Sequence, residues 1–292
     1  MRVGRMGRWT VVGCRALALV IVALASIAAC VPPIPPVTQA RAAGARSVAI
    51  ADAALPIVAW QVAAPRVVVV AVHGLKGTAA VFGPPAERWA RRGIATYAAS
   101  FDYPEPRPDS LRVMIAGVAA RHPGVPLVVV GESLGASLVV SVLAGDDPPS
   151  LAALVLSAPA VWPDSASAAA ARTGLRWLGT VADSPSAHFW ESVVGLMDAT
   201  REHAAAVRVR PVLVLTGDRD QVVPRRGVEI LAQRMGRGVE IRHFPDGGHT
   251  LFRDPAGDAV SDQVADWMLA QAASSAAATT ASVAAPRQAT AN

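Results

Sequence analysis

Hydrophobic residues in this chain form short unbroken runs, and longer segments of mixed polarity separate these runs. Residues 66–72 hold five valines in seven positions, and residues 127–130 read Leu-Val-Val-Val. Unbroken apolar runs of this length predict parallel strands whose two faces are both covered. The same signal predicts further strands at 47–62 (one or two edge strands), 95–100, 153–157, 212–216 and 239–244.

Helical segments are predicted between these strands, at 86–92, 109–121, 227–235 and 258–271. In the last of them, Val260, Val264, Trp267 and Met268 lie on one helical face. Because strands and helices alternate along the chain, we expect a doubly wound, mostly parallel α/β sheet in one domain, spanning residues 47–271.

Two segments do not follow this alternation. Residues 161–208 are predicted to form a short helical insertion, and they contain large apolar side chains at Trp162, Trp177, Phe189, Trp190 and Met197. Residues 272–292 are rich in Ala, Ser and Thr and have no apolar period, so we predict a disordered tail there.

The first 46 residues have the pattern of an export signal. Arginines in residues 1–15 precede an uncharged apolar run at 16–31, which is short for a membrane span and typical of a signal peptide. Ile27-Ala28-Ala29-Cys30 resembles a bacterial lipobox, which implies removal of residues 1–29 and lipidation of Cys30. The alternative is an ordinary signal peptide cleaved near Ala40 or Ala43.

A lipidated Cys30 predicts an exported, membrane-anchored lipoprotein, on the periplasmic face or at the outer membrane. Val31 after the cysteine, in place of Asp, favours the outer membrane by the rule for such signals. The proline-rich segment 30–46 would then be a stiff spacer between the membrane and the domain.

The charge of the chain does not indicate a nucleic-acid partner. Its formal net charge is +5, but four arginines lie in the leader, and without them 23 basic residues stand against 22 acidic ones. A nearly neutral body lacks the basic surface that nucleic-acid binding needs. The two cysteines, Cys14 and Cys30, lie in or beside the leader and make no disulfide framework.

Gly131-Glu132-Ser133-Leu134-Gly135 follows the strand at 127–130 and precedes the helix-like run 136–143. This is the G-x-S-x-G pattern between a strand and a helix, where a sharp turn exposes the serine hydroxyl as a nucleophile. The alternative is that Ser133 is an ordinary helix N-cap.

An acid and a base follow in the order that a serine nucleophile requires in this kind of sheet. Asp218 and Asp220 come directly after the strand at 212–216, and His249 ends a Gly-Gly-His loop after the strand at 239–244. Position alone leaves both Asp220 and Asp218 open as the acid. His249 is the preferred base over His243, which lies inside a strand, and Asp246 is expected only to form the turn.

With these three motifs, residues 50–271 resemble α/β-hydrolases of the monoacylglycerol lipase/lysophospholipase type, the serine aminopeptidase S33-like group. The resemblance implies the α/β-hydrolase fold and a carboxylic-ester hydrolase with Ser133 as nucleophile, Asp220 as acid and His249 as base. This chemistry needs no metal ion or cofactor, and the implied substrate is a lipid-like acyl ester. The backbone amides of Leu134 and Leu75, the latter in a His-Gly turn, would form the oxyanion hole.

Several neighbouring residues are assigned secondary roles. His73 is expected to form structural hydrogen bonds, Glu132 to brace the elbow through local hydrogen bonds, and Lys76 to be solvated. The aromatic residues predicted to contact the acyl chain are Trp177, Phe189 and Trp190, with simple packing of the insertion as the alternative.

The loop at 102–108 departs from the resembled family. Relatives carry Asp-x-Arg-Gly-x-Gly-x-Ser there, and this chain has Asp-Tyr-Pro-Glu-Pro-Arg-Pro. Asp102 is expected to keep the structural place of the first aspartate. Other functions open to the chain are amidase or haloperoxidase chemistry on the same residues, or a non-catalytic surface lipoprotein.

Overall fold

A computed structural model describes residues 44–50, 53–103, 108–145, 148, 151–178 and 187–284. The predicted signal peptide, Cys30 and nearly all of the spacer lie outside the described residues. Within the described part of the chain, no helix is both long enough and apolar enough to cross a membrane.

Eight strands form one sheet in the order β1-β2-β4-β3-β5-β6-β7-β8. They are β1 (Arg46–Val48), β2 (Ile57–Trp60), β3 (Val67–Val72), β4 (Ile94–Ala99), β5 (Leu127–Glu132), β6 (Leu151–Ser157), β7 (Val212–Gly217) and β8 (Val239–Phe244). Strands β1 and β2 pair antiparallel, β2 also pairs antiparallel with β4, and all other pairs are parallel. The predicted α/β-hydrolase fold class, a mostly parallel sheet, is confirmed.

The valine run of β3 illustrates why the central strands are apolar throughout. Val68, Val70 and Val72 belong to the hydrophobic core on one face of the sheet, and the alternate residues belong to the core on the other face. Side chains alternate between the two faces of a strand, so a strand covered on both faces is apolar at most of its positions.

Seven α-helices are described: α1 (Gly83–Arg91), α2 (Pro108–Arg121), α3 (Leu134–Leu143), α4 (Ser165–Leu178), α5 (Ala187–His203), α6 (Arg225–Met235) and α7 (Gly257–Ala284). Helices α2, α3, α5 and α6 bury side chains in the core on one face of the sheet. Helices α1 and α7 bury theirs in the core on the other face. The predicted insertion at 161–208 contains α4 and α5, between β6 and β7.

The C-terminal boundary differs from the prediction. We expected the last helix to end at residue 271 and a disordered tail from 272, but α7 continues to Ala284. The segment is rich in alanine, which has the highest intrinsic helix propensity. The missing apolar period therefore did not indicate an irregular backbone; residues 285–292 lie outside the described chain.

Candidate active site

The elbow holds Ser133 in a strained backbone conformation between β5 and α3. Its φ is 54° and its ψ is −122°, in the left-handed half of the map that non-glycine residues rarely adopt. Its backbone N–H donates to the carbonyl of Ser157 at 2.8 Å, and its carbonyl accepts from Ala160 at 3.2 Å. Its side chain makes no cap hydrogen bond, so the alternative of an ordinary N-cap is wrong.

The flanking glycines allow this tight turn. A Cβ at Gly131 would lie 2.5 Å from the Cα of Ala136. A Cβ at Gly135 would lie 2.3 Å from the carbonyl oxygen of Val72. Both distances are far below contact, so these two positions accept only glycine, and they bring α3 and the end of β3 against the nucleophile.

Ser133, His249 and Asp220 lie in one hydrogen-bonded row. The distance from His249 Nε2 to Ser133 Oγ is 2.8 Å, and His249 Nδ1 lies 2.9 Å from Asp220 Oδ2. Asp220 Oδ1 accepts the amides of Val222 and Val223, at 2.8 and 3.0 Å. A carboxylate can only accept, so Nδ1 carries the proton and Nε2 presents its lone pair to the Ser133 hydroxyl.

The loops that carry the acid and the base touch each other. A Cβ at Gly217, at the end of β7, would lie 2.3 Å from the carbonyl oxygen of Gly247. On the other side of His249, the Asp254 carboxylate accepts the amide of Gly248 and the hydroxyl of Thr250. These contacts fix the backbone on both sides of the histidine.

The two alternative residues lie outside this row and pair with each other. His243 Nδ1 is 3.1 Å from Asp218 Oδ1, and each side chain is about a third exposed. Asp218 is also 3.7 Å from the guanidinium of Arg225. Asp246 is exposed and forms a surface ion pair with Arg219.

The two predicted oxyanion donors belong to segments that lie next to Ser133. Leu134 is the first residue of α3, so its amide has no acceptor within the helix and points along the positive end of the helix dipole. Leu75 lies in the loop after β3, which approaches so closely that a Cβ at Gly74 would be 2.8 Å from the Ser133 Cβ. Neither leucine amide donates to a backbone acceptor in the described chain.

His73 is fully buried and holds the loop that contains Leu75. Its Nδ1 lies 2.7 Å from the carbonyl of Gly74, and its Nε2 accepts the amide of Phe101 at 2.9 Å. Burial lowers the pKa of His73 to about 4; the hydrogen bond to Gly74 opposes this shift, and the nearby charge of Arg253 adds to it. The ring is therefore neutral near pH 7, with one nitrogen donating and the other accepting, in the structural role expected for it.

The burial of His73 predicts that the free energy of unfolding depends on pH. The unfolded chain takes up a proton at His73 near pH 6.5, but the folded chain does so only near pH 4. Stability is therefore highest above pH 6.5 and falls by about 3 kcal/mol between pH 6.5 and pH 4 from this residue. Urea unfolding at stepped pH should show a shallower dependence in His73→Asn, whereas His188→Asn, at an exposed histidine, should retain it. Equal slopes in both variants would contradict this assignment.

The altered loop at 102–108 contributes a tyrosine in place of the expected aspartate. Asp102 is exposed, so the expectation that it keeps a structural place is wrong. Tyr103 is buried and its hydroxyl donates to the carbonyl of His73. Burial raises the pKa of Tyr103, and the negative charge of Glu132 raises it further, so the hydroxyl keeps its proton. No pattern in the sequence identified this contact; residues 104–107 lie outside the described chain.

Glu132 has a partner that the sequence did not reveal. Its Oε1 accepts from Arg253 at 2.6 Å, and only 3% of the Glu132 side chain is exposed. We expected local hydrogen bonds, but the two residues are 121 positions apart. The correction follows from the fold, which places the loop after His249 beside the elbow.

The structure describes two of the three aromatic side chains that were predicted to contact the acyl chain. Trp190 is buried and meets the ring of Phe189 edge-on, with 4.9 Å between the ring centroids. Both pack against the core on the side of α3. Trp177 lies in α4, and its side chain is outside the described residues. Lys76 is exposed, as expected, and no group of His, Cys, Asp and Glu in the described chain could hold a metal ion.

Known families and structures that are similar to this chain are hydrolases, in agreement with the geometry of the site. A family model described as serine aminopeptidase, S33, matches residues 109–184 and 180–256, together just over half of the chain. The chain is 25% identical over 251 residues to the monoacylglycerol lipase of Mycolicibacterium smegmatis, covering 70% of this chain and 89% of the lipase.

Solved structures share the fold at low sequence identity. The monoacylglycerol lipase of Paleococcus ferrophilus is 20% identical with a TM-score of 0.58, covering 74% of this chain and 99% of its own. A thermostable carboxyl esterase from Bacillus coagulans is 14% identical with a TM-score of 0.63, covering 78% of this chain and 98% of its own.

Proposed function

The chain belongs to the serine aminopeptidase S33 family, and on that premise we propose that this carboxylic-ester hydrolase cleaves lipid-like acyl esters through Ser133, His249 and Asp220. The observation that carries the proposal is the hydrogen-bonded row from Ser133 Oγ through His249 to Asp220, with 2.8 and 2.9 Å links. Distances of this size allow direct proton transfer between the serine and the histidine.

The reaction proceeds in two halves. Ser133 Oγ attacks the ester carbonyl while its proton passes to His249 Nε2, and the amides of Leu75 and Leu134 donate to the developing oxyanion. The imidazolium then gives this proton to the leaving alcohol, which departs and leaves Ser133 acylated. In the second half, water attacks the acyl-enzyme with His249 again as base, and the carboxylic acid leaves.

Asp220 supports both halves without giving up a proton. It accepts the Nδ1–H of His249, which keeps the ring in the tautomer that can receive the Ser133 proton. Two backbone amides on its other oxygen hold its carboxylate in position. The imidazolium that forms in each half is therefore paired with a fixed negative charge.

Lipid-like substrates are supported by two independent observations. The relative in M. smegmatis is a monoacylglycerol lipase. The insertion between β6 and β7 packs the apolar side chains of Phe189 and Trp190 on the side of the sheet that carries α3, the helix that follows the nucleophile, and Phe189 stays partly exposed there. A monoacylglycerol or a lysophospholipid, with one acyl chain, suits such an apolar surface.

Acyl-chain profiling tests this substrate class. We expect wild-type protein to favour long-chain over acetyl p-nitrophenyl esters, and to cleave monoacylglycerols but not the matching p-nitroanilides. Phe189→Ala should lower kcat/KM for a dodecanoyl ester about tenfold while changing the acetyl ester much less, because only the long chain loses apolar contact. Equal losses on both esters would mean that Phe189 only packs the insertion.

We also propose that the protein is an exported lipoprotein anchored through Cys30. The support is the sequence alone: a basic segment, an apolar run and the lipobox-like Ile27-Ala28-Ala29-Cys30. Two or three acyl chains on one cysteine anchor a protein firmly, whereas a single chain binds only marginally. Mass spectrometry of the mature N-terminus should find a lipidated Cys30, and an unlipidated start near Arg41 would contradict the anchor.

A further inference from the structure

Four polar side chains, three of them buried and the fourth partly exposed, lie near the nucleophile and come from four different segments of the chain. Glu132 belongs to the elbow, His73 to the loop of the predicted oxyanion hole, Arg253 to the loop after His249, and Tyr103 to the altered loop after β4. Glu132, His73 and Tyr103 are each 3% exposed or less. Arg253 and Glu132 join the loop of His249 to the elbow, and Tyr103 and His73 join the loop after β4 to the loop that contains Leu75.

The charged pair in this cluster joins a buried carboxylate to a partly exposed guanidinium. Arg253 Nη2 donates to Glu132 Oε1 at 2.6 Å, and the side chains are 22% and 3% exposed. The second carboxylate oxygen of Glu132 has no hydrogen-bond partner within the described residues. Removing Arg253 would thus leave a buried carboxylate with no described group to balance its charge, which is the costly half of a broken ion pair.

The position of this carboxylate matters for the chemistry. Glu132 directly precedes the nucleophile, and its negative charge lies close enough to Tyr103 to raise the pKa of that buried hydroxyl. The Tyr103 hydroxyl donates to the carbonyl of His73, which begins the loop that supplies Leu75. The reaction creates a second negative charge on the substrate oxygen at the Leu75 and Leu134 amides. In a site of low dielectric constant, an unbalanced carboxylate close by would oppose that charge.

We propose that Arg253 is a positioning residue for ester hydrolysis that acts through Glu132. Its guanidinium cancels the Glu132 charge beside the developing oxyanion, and the ion pair ties the loop of His249 to the elbow of Ser133. The inference rests on the proposed function, since it assigns no reaction of its own. The proposal predicts that loss of the Arg253 cation lowers kcat more than loss of the Glu132 anion.

The test compares Arg253→Ala, Glu132→Gln and the double variant with wild type on one soluble ester. We expect Arg253→Ala to lower kcat about 100-fold with little change in KM, because the transition state alone carries the new charge. Glu132→Gln should lose less than about threefold, and adding it to Arg253→Ala should recover about tenfold. The matched control is Arg88→Ala, because the Arg88 side chain is about as exposed as that of Arg253 and pairs with carboxylates across α1 and α7; it should lower Tm without lowering kcat.

Several outcomes would overturn the proposal. Equal losses in Arg253→Ala and Glu132→Gln would mean a purely structural pair, as would a loss no larger than that in Arg88→Ala. If Arg253→Ala does not fold, the double variant replaces it, and a 100-fold loss there would contradict the account. Failure of the proposed function looks different, since wild type itself would then neither turn over esters nor react with a fluorophosphonate at Ser133.

Discussion

Ser133→Ala should abolish ester hydrolysis, with kcat falling by at least about 10⁵-fold. The substitution removes the atom that attacks the carbonyl and leaves His249 with no proton to accept. The hydroxyl bonds to His249 in the structure and makes no cap hydrogen bond to the backbone, so its loss should leave the fold intact. Purified variant and wild type are compared by turnover of a p-nitrophenyl ester and by thermal unfolding.

Ser141→Ala is the matched control for this experiment. Ser141 lies in α3, the helix that follows Ser133. Its hydroxyl is buried with no hydrogen-bond partner in the described chain. Its removal takes a hydroxyl from α3 without touching the nucleophile, so we expect activity close to that of wild type. Substantial turnover by Ser133→Ala, with an unchanged melting curve, would reject Ser133 as the nucleophile.

Asp220→Asn should lower kcat about 10⁴-fold, the second largest effect. An asparagine at this position can offer an N–H to His249 Nδ1, which favours the tautomer with the proton on Nε2. His249 then cannot receive the Ser133 proton, and the imidazolium loses its negative partner. The size and the hydrogen bonds to Val222 and Val223 can be kept by the amide oxygen, so the change is confined to charge and tautomer.

Asp218→Asn is the control, two residues away in the same loop. Asp218 pairs with His243 and is about a third exposed, so its substitution should change kcat by less than about threefold. The comparison is made at one pH on the same ester. A larger loss in Asp218→Asn than in Asp220→Asn would move the catalytic acid to Asp218.

Much of the fold could be predicted because the burial of each strand determines which residue types that strand contains. The central strands are covered on both faces, so burial alone requires apolar runs such as Val67–Val72 and Val212–Leu215. In the elbow, Gly131 is required by a contact within a few residues of Ser133, whereas Gly135 is required by the close approach of β3. The end of α7 was missed because the helix was predicted from an apolar period, whereas an alanine-rich sequence favours a helix without one.

The polar contacts around the site could not be predicted, because they join residues that are far apart in the sequence. Glu132 and Arg253 are 121 positions apart, and the hydroxyl of Tyr103 reaches a carbonyl 30 positions away. Neither pair has a spacing or residue pattern that distinguishes it from surface charges or a core tyrosine. Their meaning appears only once the loops at the carboxyl ends of β3, β4 and β5 and the loop after β8 lie side by side.

Mapping of a fluorophosphonate adduct tests the central claim most directly, because the reagent forms a covalent bond only with an activated serine. The account predicts one adduct per chain, on the peptide containing Ser133, absent in Ser133→Ala and much slower to form in Asp220→Asn. No adduct on the folded wild-type protein, or an adduct on a different serine that persists in Ser133→Ala, would contradict it.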